Sequence, residues 1–188
     1  ASYERVTSDP TTAITNVNDS PGGTVIIGGT ATQYQTLTAN ADGIIDVDGR
    51  PDISTFSYQW YRGTTPINGA TGSTYTLIQA DVTKQVKVAV TYIDGGNKAE
   101  TVMSALTAPV ANVNDGPTGS VGITGAEYKQ GVMLTATNNL TDEDGMGAIT
   151  YTWYRGTTAI TSGTGTYTPV QADVGYQIKV IATYMDGQ

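Results

Sequence analysis

The 188-residue sequence predicts an all-β fold: two tandem sandwich-like units of about seven short strands each, with no disulfide. Three observations predict it. Short segments alternate apolar and polar residues and are rich in Val, Ile, Thr and Tyr, which suit a pleated, half-buried surface. Gly, Pro, Asn and Asp punctuate them, with 23 glycines in the chain. No window carries the apolar stripe of an amphipathic helix. The chain has no Cys, so packing alone must hold its sheets together.

Taken in order, residues 24–27 form a short β-branched run and residues 35–39 alternate. Residues 55–61 alternate again, with Phe56, Tyr58 and Trp60 on one face. A turn-rich stretch containing Asn68-Gly69, a strong tight-turn pair, leads to a strand over 74–78. Ala80-Asp81-Val82 suits a single helical turn. Residues 85–92 form the longest alternating segment, and residues 100–110 close the unit. Trp60 and Trp153 are read as core filler rather than as stacking platforms for sugar. The same holds for Tyr58, Tyr75, Tyr92, Tyr151, Tyr167 and Tyr184, which lie on alternating strands.

Five motifs recur in order. Asn16-Val17-Asn18-Asp19 returns as Asn112-Val113-Asn114-Asp115, and Asp46-Val47-Asp48-Gly49 as Asp142-Glu143-Asp144-Gly145, both 96 residues on. Trp60-Tyr61-Arg62-Gly63 returns as Trp153-Tyr154-Arg155-Gly156, Gln79-Ala80-Asp81-Val82 as Gln171-Ala172-Asp173-Val174, and Thr91-Tyr92-Ile93-Asp94-Gly95 as Thr183-Tyr184-Met185-Asp186-Gly187. The offset shrinks to 92, which places short deletions in loops and keeps the strands in order. Residues 4–15 also align with 100–111. The chain therefore divides into residues 1–15, the last strand of a preceding repeat; residues 16–111, a first repeat; and residues 112–188, a second repeat lacking its last strand. Strand backbone needs partners, and a truncated sheet exposes an edge. Two placements stay open for 3–15. It fills the vacant edge of a second-repeat domain, in another molecule of a strand-swapped homo-oligomer. Otherwise the boundary lies near residue 95 and it pairs with 84–92 of its own chain.

Composition narrows the function. Asp and Glu number 17 against 9 Lys and Arg, a net charge of −8 that disfavours nucleic acid and anionic lipid and suits divalent cations. Without His or Cys there is no His-dependent triad, no thiol nucleophile and no Cys-ligated zinc. No apolar run approaches the ~18 residues of a membrane span, and Ala1-Ser2-Tyr3-Glu4-Arg5 is no signal pattern. Both repeats are negative, with eight acidic and five basic residues over 16–111 and seven and three over 112–188, so an array of them would stay extended by self-repulsion.

A lone Trp on the third strand of each copy, and the turn Leu77-Ile78-Gln79-Ala80-Asp81-Val82 before the sixth, fit an immunoglobulin-like sandwich. The order Asn-Val-Asn-Asp-x-Pro, Thr-Leu-Thr-Ala, Asp-x-Asp-Gly, Tyr-x-Trp-Tyr, Ala-Asp-Val and Tyr-x-Asp-Gly resembles the immunoglobulin-like extender repeats of large bacterial surface adhesins, many of them repeats-in-toxin adhesins. The resemblance covers nearly the whole chain. It departs at Thr83-Lys84, where the second copy has Gly175-Tyr176, and at Asn138, where the first copy has Asp42. It implies stalk units, rigidified by Ca²⁺, that carry ligand-binding domains away from the cell.

An immunoglobulin-type path brings three places to one pole: the lead-in to strand one, the loop between strands two and three, and the loop between strands six and seven. Asn18 and Asp19 lie in the first, Asp42, Asp46, Asp48 and Asp52 in the second, and Asp94 in the third. Such a gathering of like charges is unfavourable until a cation neutralises it. An all-oxygen set without His or Cys matches Ca²⁺ and disfavours zinc or copper. Asn18, Asp19, Asp46, Asp48 and Asp94 are thus the metal ligands expected at the first joint. Asn114, Asp115, Asp142, Asp144 and Asp186 are those expected at the second, with Glu143, in the place of Val47, facing away. Neither the EF-hand loop nor the glycine-rich calcium nonapeptide is present.

These readings make the chain a non-enzymatic spacer of a secreted or bacterial cell-surface adhesin, stiffened by calcium between neighbouring repeats and serving adhesion or biofilm formation. The alternative is a carbohydrate- or protein-binding immunoglobulin-like module of a secreted protein. An enzyme is disfavoured: carboxylate pairs such as Asp46/Asp48 sit before Gly in turns and occur in both copies.

Overall fold

The computed structural model describes residues 1–187 and is all-β, its named strands pairing antiparallel and its helical turns each three residues long. Contacts divide the chain into a first unit, Ala1–Asn112, and a second beginning at Val113.

In the first unit, β1 (Gly22–Gly23) pairs with β4 (Ile44–Ile45), and β2 (Ile26–Gly28), β3 (Thr36–Asn40) and β7 (Thr74–Thr76) form a three-stranded sheet. The order of the other sheet is β6 (Thr65–Pro66), β5 (Ser57–Arg62), β8 (Val86–Ile93), β9 (Ala99–Met103). Period-two alternation decides which side chains go in. On β3, Leu37 and Ala39 are buried between exposed Thr36, Thr38 and Asn40; on β8, Val86, Val88, Val90 and Tyr92 are buried. These faces meet Trp60, Leu77 and Phe56 in one core shared by both sheets. Trp60 is fully buried, its indole N–H donates to the Gly72 carbonyl at 2.9 Å, and its ring lies 5.8 Å from that of Tyr75.

The closing segment differs from the continuous strand expected over 100–110. β9 ends at Met103, and the chain then crosses to bridge Val82 and Thr32 in parallel through Val110 and Ala111. The ladder breaks because side-chain hydroxyls replace carbonyls as acceptors. The N–H of Val88 donates to Ser104 Oγ, and that of Val86 to Thr107 Oγ1, both at 3.0 Å. Beyond the break, Val110 is buried as the last apolar plug of the core.

Residues 1–20 are exposed and outside any strand. The segment 3–15 finds no place on 84–92 of its own chain, because β8 is already flanked by β5 and β9.

The second unit contains the sheet β10 (Val121–Thr124), β11 (Leu134–Asn138), β14 (Thr166–Tyr167) and the sheet β13 (Thr158–Ser162), β12 (Thr150–Arg155), β15 (Ile178–Thr183). Register repeats: Trp60 lies opposite Val88, and Trp153, also fully buried, lies opposite Val180. Among the described residues, β15 is paired on one side only, and Ile178, Val180 and Ala182 are half-buried where Val86, Val88 and Val90 are fully buried.

The Trp-Tyr-Arg and Ala-Asp-Val motifs meet in a buried ion pair. Asp81, fully buried on a helical turn (Gln79–Asp81), accepts from Arg62 Nε at 2.8 Å, from the Tyr75 hydroxyl at 2.8 Å and from the Ile78 N–H at 2.9 Å. Burial and then the bond to Asp81 push the Tyr75 hydroxyl up to about 12. Asp173 repeats the arrangement with Arg155 (2.6 Å), Tyr167 and the Val170 N–H (2.7 Å). Among the described residues, no helix is long and apolar enough to cross a membrane.

Candidate metal centre

Two Gly-containing loops create the acidic pole of the first unit. After β4 the chain makes a turn at Asp46-Val47-Asp48-Gly49, with Gly49 at φ +104, a region that favours glycine. After β8 it turns at Asp94-Gly95. The Gly95 N–H donates to the Gly49 carbonyl at 2.9 Å, and a Cβ on Gly95 would lie 2.3 Å from the Asp48 carbonyl oxygen. The loops therefore dock backbone to backbone, and only glycine permits the approach. This seats Asp94 beside Asp46 and Asp48, one carboxylate oxygen of each lying within 4.8 Å of the others.

Local hydrogen bonds fix all three. Asp46 accepts from the Asp48 N–H at 3.0 Å on Oδ1 and from the Tyr92 hydroxyl at 2.7 Å on Oδ2. Asp48 accepts from Asn16 Nδ2 on Oδ1 and from the Asp19 N–H on Oδ2, both at 2.6 Å. These two bonds, the Asp19 N–H first, hold the Asp48 carboxyl below its ordinary value. Asp94 accepts from the Lys98 N–H at 2.7 Å on Oδ1. Its Oδ2 is buried and accepts no hydrogen bond among the described residues. An anionic oxygen stripped of water and left without a donor is unfavourable, and a cation satisfies it.

The donor set is all oxygen, with three carboxylates and no nitrogen or sulfur ligand. Each bonded oxygen keeps a lone pair, so the geometry suits a hard divalent ion that takes about six to eight oxygens. Asp46, Asp48 and Asp94 would hold such an ion. Asp19 approaches through its N–H rather than its carboxylate. Asn18 is exposed, and its Nδ2 donates to Glu100 Oε1 at 2.8 Å. Asp42 is exposed, with its N–H on Asn40 Oδ1, and Asp52 caps the turn Ile53–Thr55 by accepting from the Ser54 N–H at 2.8 Å.

The second unit repeats much of this frame. The Asp144 N–H donates to Asp142 Oδ1 at 3.0 Å, the Tyr184 hydroxyl to Asp142 Oδ2, and the Asp115 N–H to Asp144 Oδ2 at 2.7 Å. The bond to Asp142, then burial, pushes the Tyr184 hydroxyl up to about 12. A Cβ on Gly187 would lie 2.2 Å from the Asp144 carbonyl oxygen, as at Gly95. Asp186 bridges Met146 in the backbone, and Asn114, exposed, donates to the Asp115 carbonyl at 3.3 Å. Among the described residues, the grouping of three close carboxylates occurs in the first unit.

Sequence reasoning missed Asn16, Tyr92, Tyr184 and Glu100 as members of the poles. For the tyrosines a signal existed: each stands two residues before Asp-Gly in both copies. A scan of protein families finds no match to the chain, and no curated protein matches it.

Proposed function

We propose that the chain is a pair of immunoglobulin-like extender repeats, a non-enzymatic spacer of a bacterial surface adhesin, stiffened by Ca²⁺ held at the acidic pole. The observation that carries this reading is the convergence of Asp46, Asp48 and Asp94 from separate loops, with one buried Asp94 oxygen lacking a donor. The chemistry of stiffening follows from the bonds around Asp48. Asn16 and Asp19, on the segment that leads into the repeat, are tied to a carboxylate that would bind the ion. An ion there fixes the lead-in and with it the direction in which the repeat leaves its predecessor. Neighbouring repeats of the parent chain are then the partners, and the setting is extracellular, where free calcium is plentiful enough for a modest site to fill.

A spin label at Val17, exposed on the lead-in, tests the reading by electron paramagnetic resonance. With Ca²⁺ the label is expected to be immobilised, and with chelator to move more freely. Identical spectra in the two conditions would count against a calcium-stiffened spacer.

A further inference from the structure

The turn that follows β6 holds an asparagine–glycine pair that neither the core nor the acidic pole uses. The Ala70 N–H donates to the Ile67 carbonyl at 3.1 Å and closes the turn over Asn68 and Gly69. Gly69 lies at φ +74 and Asn68 has no positive φ, the pattern of a type II turn with glycine in its third place. The buried Trp60 grips both ends of the turn. The Ile67 N–H donates to the Trp60 carbonyl and the Trp60 N–H to the Ala70 carbonyl, both at 2.9 Å. Gln59 Nε2 adds a bond to the Ile67 carbonyl at 2.8 Å.

Inside this fixed frame the pair itself is open. Asn68 is exposed, and its side-chain amide makes no hydrogen bond among the described residues. The Gly69 N–H likewise meets no acceptor there, and no atom lies within 4 Å of the place a Cβ on Gly69 would take. Other asparagines are occupied. Nδ2 of Asn16, Asn18 and Asn138 donates to Asp48, Glu100 and Tyr151, and Oδ1 of Asn139 accepts from the Ser120 N–H. Of the nine asparagines in the sequence, Asn68 is the one that precedes glycine. Before β14 the second unit has Ser162 ahead of Gly163, and the Gly163 N–H donates to the Tyr151 carbonyl at 2.8 Å. That turn offers neither an amide carbon nor a free nitrogen.

We propose that Asn68 is a modification site, where the folded chain converts the side-chain amide to a carboxylate through a cyclic imide. The Gly69 nitrogen attacks Asn68 Cγ. The N–Cγ bond forms, the bond from Cγ to the amide nitrogen breaks, and ammonia leaves with the proton that the Gly69 nitrogen gives up. Glycine matters because a side chain at position 69 would crowd the five-membered ring. Water then adds to one of the two imide carbonyls. Opening at the side-chain carbonyl leaves an ordinary aspartyl residue. Opening at the main-chain carbonyl leaves an isoaspartyl linkage, with the backbone routed through Cγ. Either product adds one negative charge. The isoaspartyl product also inserts a backbone carbon between the two ends that Trp60 holds, so it loosens the turn. The reaction does not depend on calcium.

Incubation of the full folded chain in mildly alkaline buffer, followed by tryptic mass spectrometry, tests the proposal. The peptide 63–84, released after Arg62 and Lys84, contains Asn68 as its only asparagine. The peptide 88–98 carries Asn97, exposed and followed by lysine, as the comparison. The expected result is an amide-to-acid mass change localised to Asn68, at least about tenfold faster than at Asn97. Isoaspartyl methyltransferase should label peptide 63–84 from the incubated wild type and not from an Asn68→Gln variant. Circular dichroism during the incubation checks that the chain stays folded. Conversion confined to denatured chain overturns the proposal. So does a rate at Asn68 no greater than at Asn97, or an acid product without any isoaspartyl linkage.

Discussion

At the residue scale, hydrogen bonds to carboxylates do most of the positioning. Asp48 is held by the Asp19 N–H and by Asn16, and its carboxyl titrates below the ordinary range. A carboxyl whose folded-state value is depressed contributes stability that is present above about pH 4 and lost as pH falls through the lower folded value. An NMR titration should place the Asp48 midpoint below about 3.9, and Asn16→Ala should move it back up toward that value. Tyr92 holds Asp46 from the core side, and its hydroxyl is raised by burial and then by that bond. Tyr92→Phe should cost about 1–3 kcal/mol, measured by denaturant unfolding of the calcium-free chain, since it leaves a partly buried carboxylate oxygen without its donor. Neither bond was legible in the sequence. Alternation said that Tyr92 points inward, but not that its hydroxyl reaches across to a loop 46 residues away.

At the scale of elements, much more could be read in advance. Alternation located the strands within a few residues. The lone tryptophans are buried as core filler, and the turn at Gln79–Asp81 stands where Ala80-Asp81-Val82 suggested it. The closing strand was misread because its break depends on two hydroxyls, Ser104 and Thr107, outcompeting carbonyls, a choice no alternation pattern encodes. The Arg62–Asp81 pair was also hidden, although both motifs recur. Its partners come from a strand end and a turn that only the fold brings together. Arg62→Ala should destabilise the first unit by about 3–5 kcal/mol, because it strands a fully buried carboxylate; thermal unfolding of variant and wild type checks this.

For the whole molecule, the sequence motifs place carboxylates in loops, and the glycines let those loops touch. Asp46, Asp48 and Asp94 could be nominated together because each precedes or flanks a glycine in a turn and each has a counterpart in the second copy. The difference between copies was not visible. Asp142 and Asp144 keep the frame, yet the three-carboxylate grouping belongs to the first unit among the described residues. A strong site is therefore expected in the first unit, and equilibrium dialysis with ⁴⁵Ca²⁺ should show at least one ion bound per chain.

The most direct test of the central claim is calorimetric titration of Ca²⁺ into the wild-type chain and into Asp94→Asn. The substitution keeps the side-chain shape and removes the charge at the buried Oδ2, which accepts no hydrogen bond among the described residues. Saturable binding in the wild type, weakened at least about tenfold in the variant, is the predicted result. An absence of binding in the wild type, or equal affinity in the two proteins, would contradict the account.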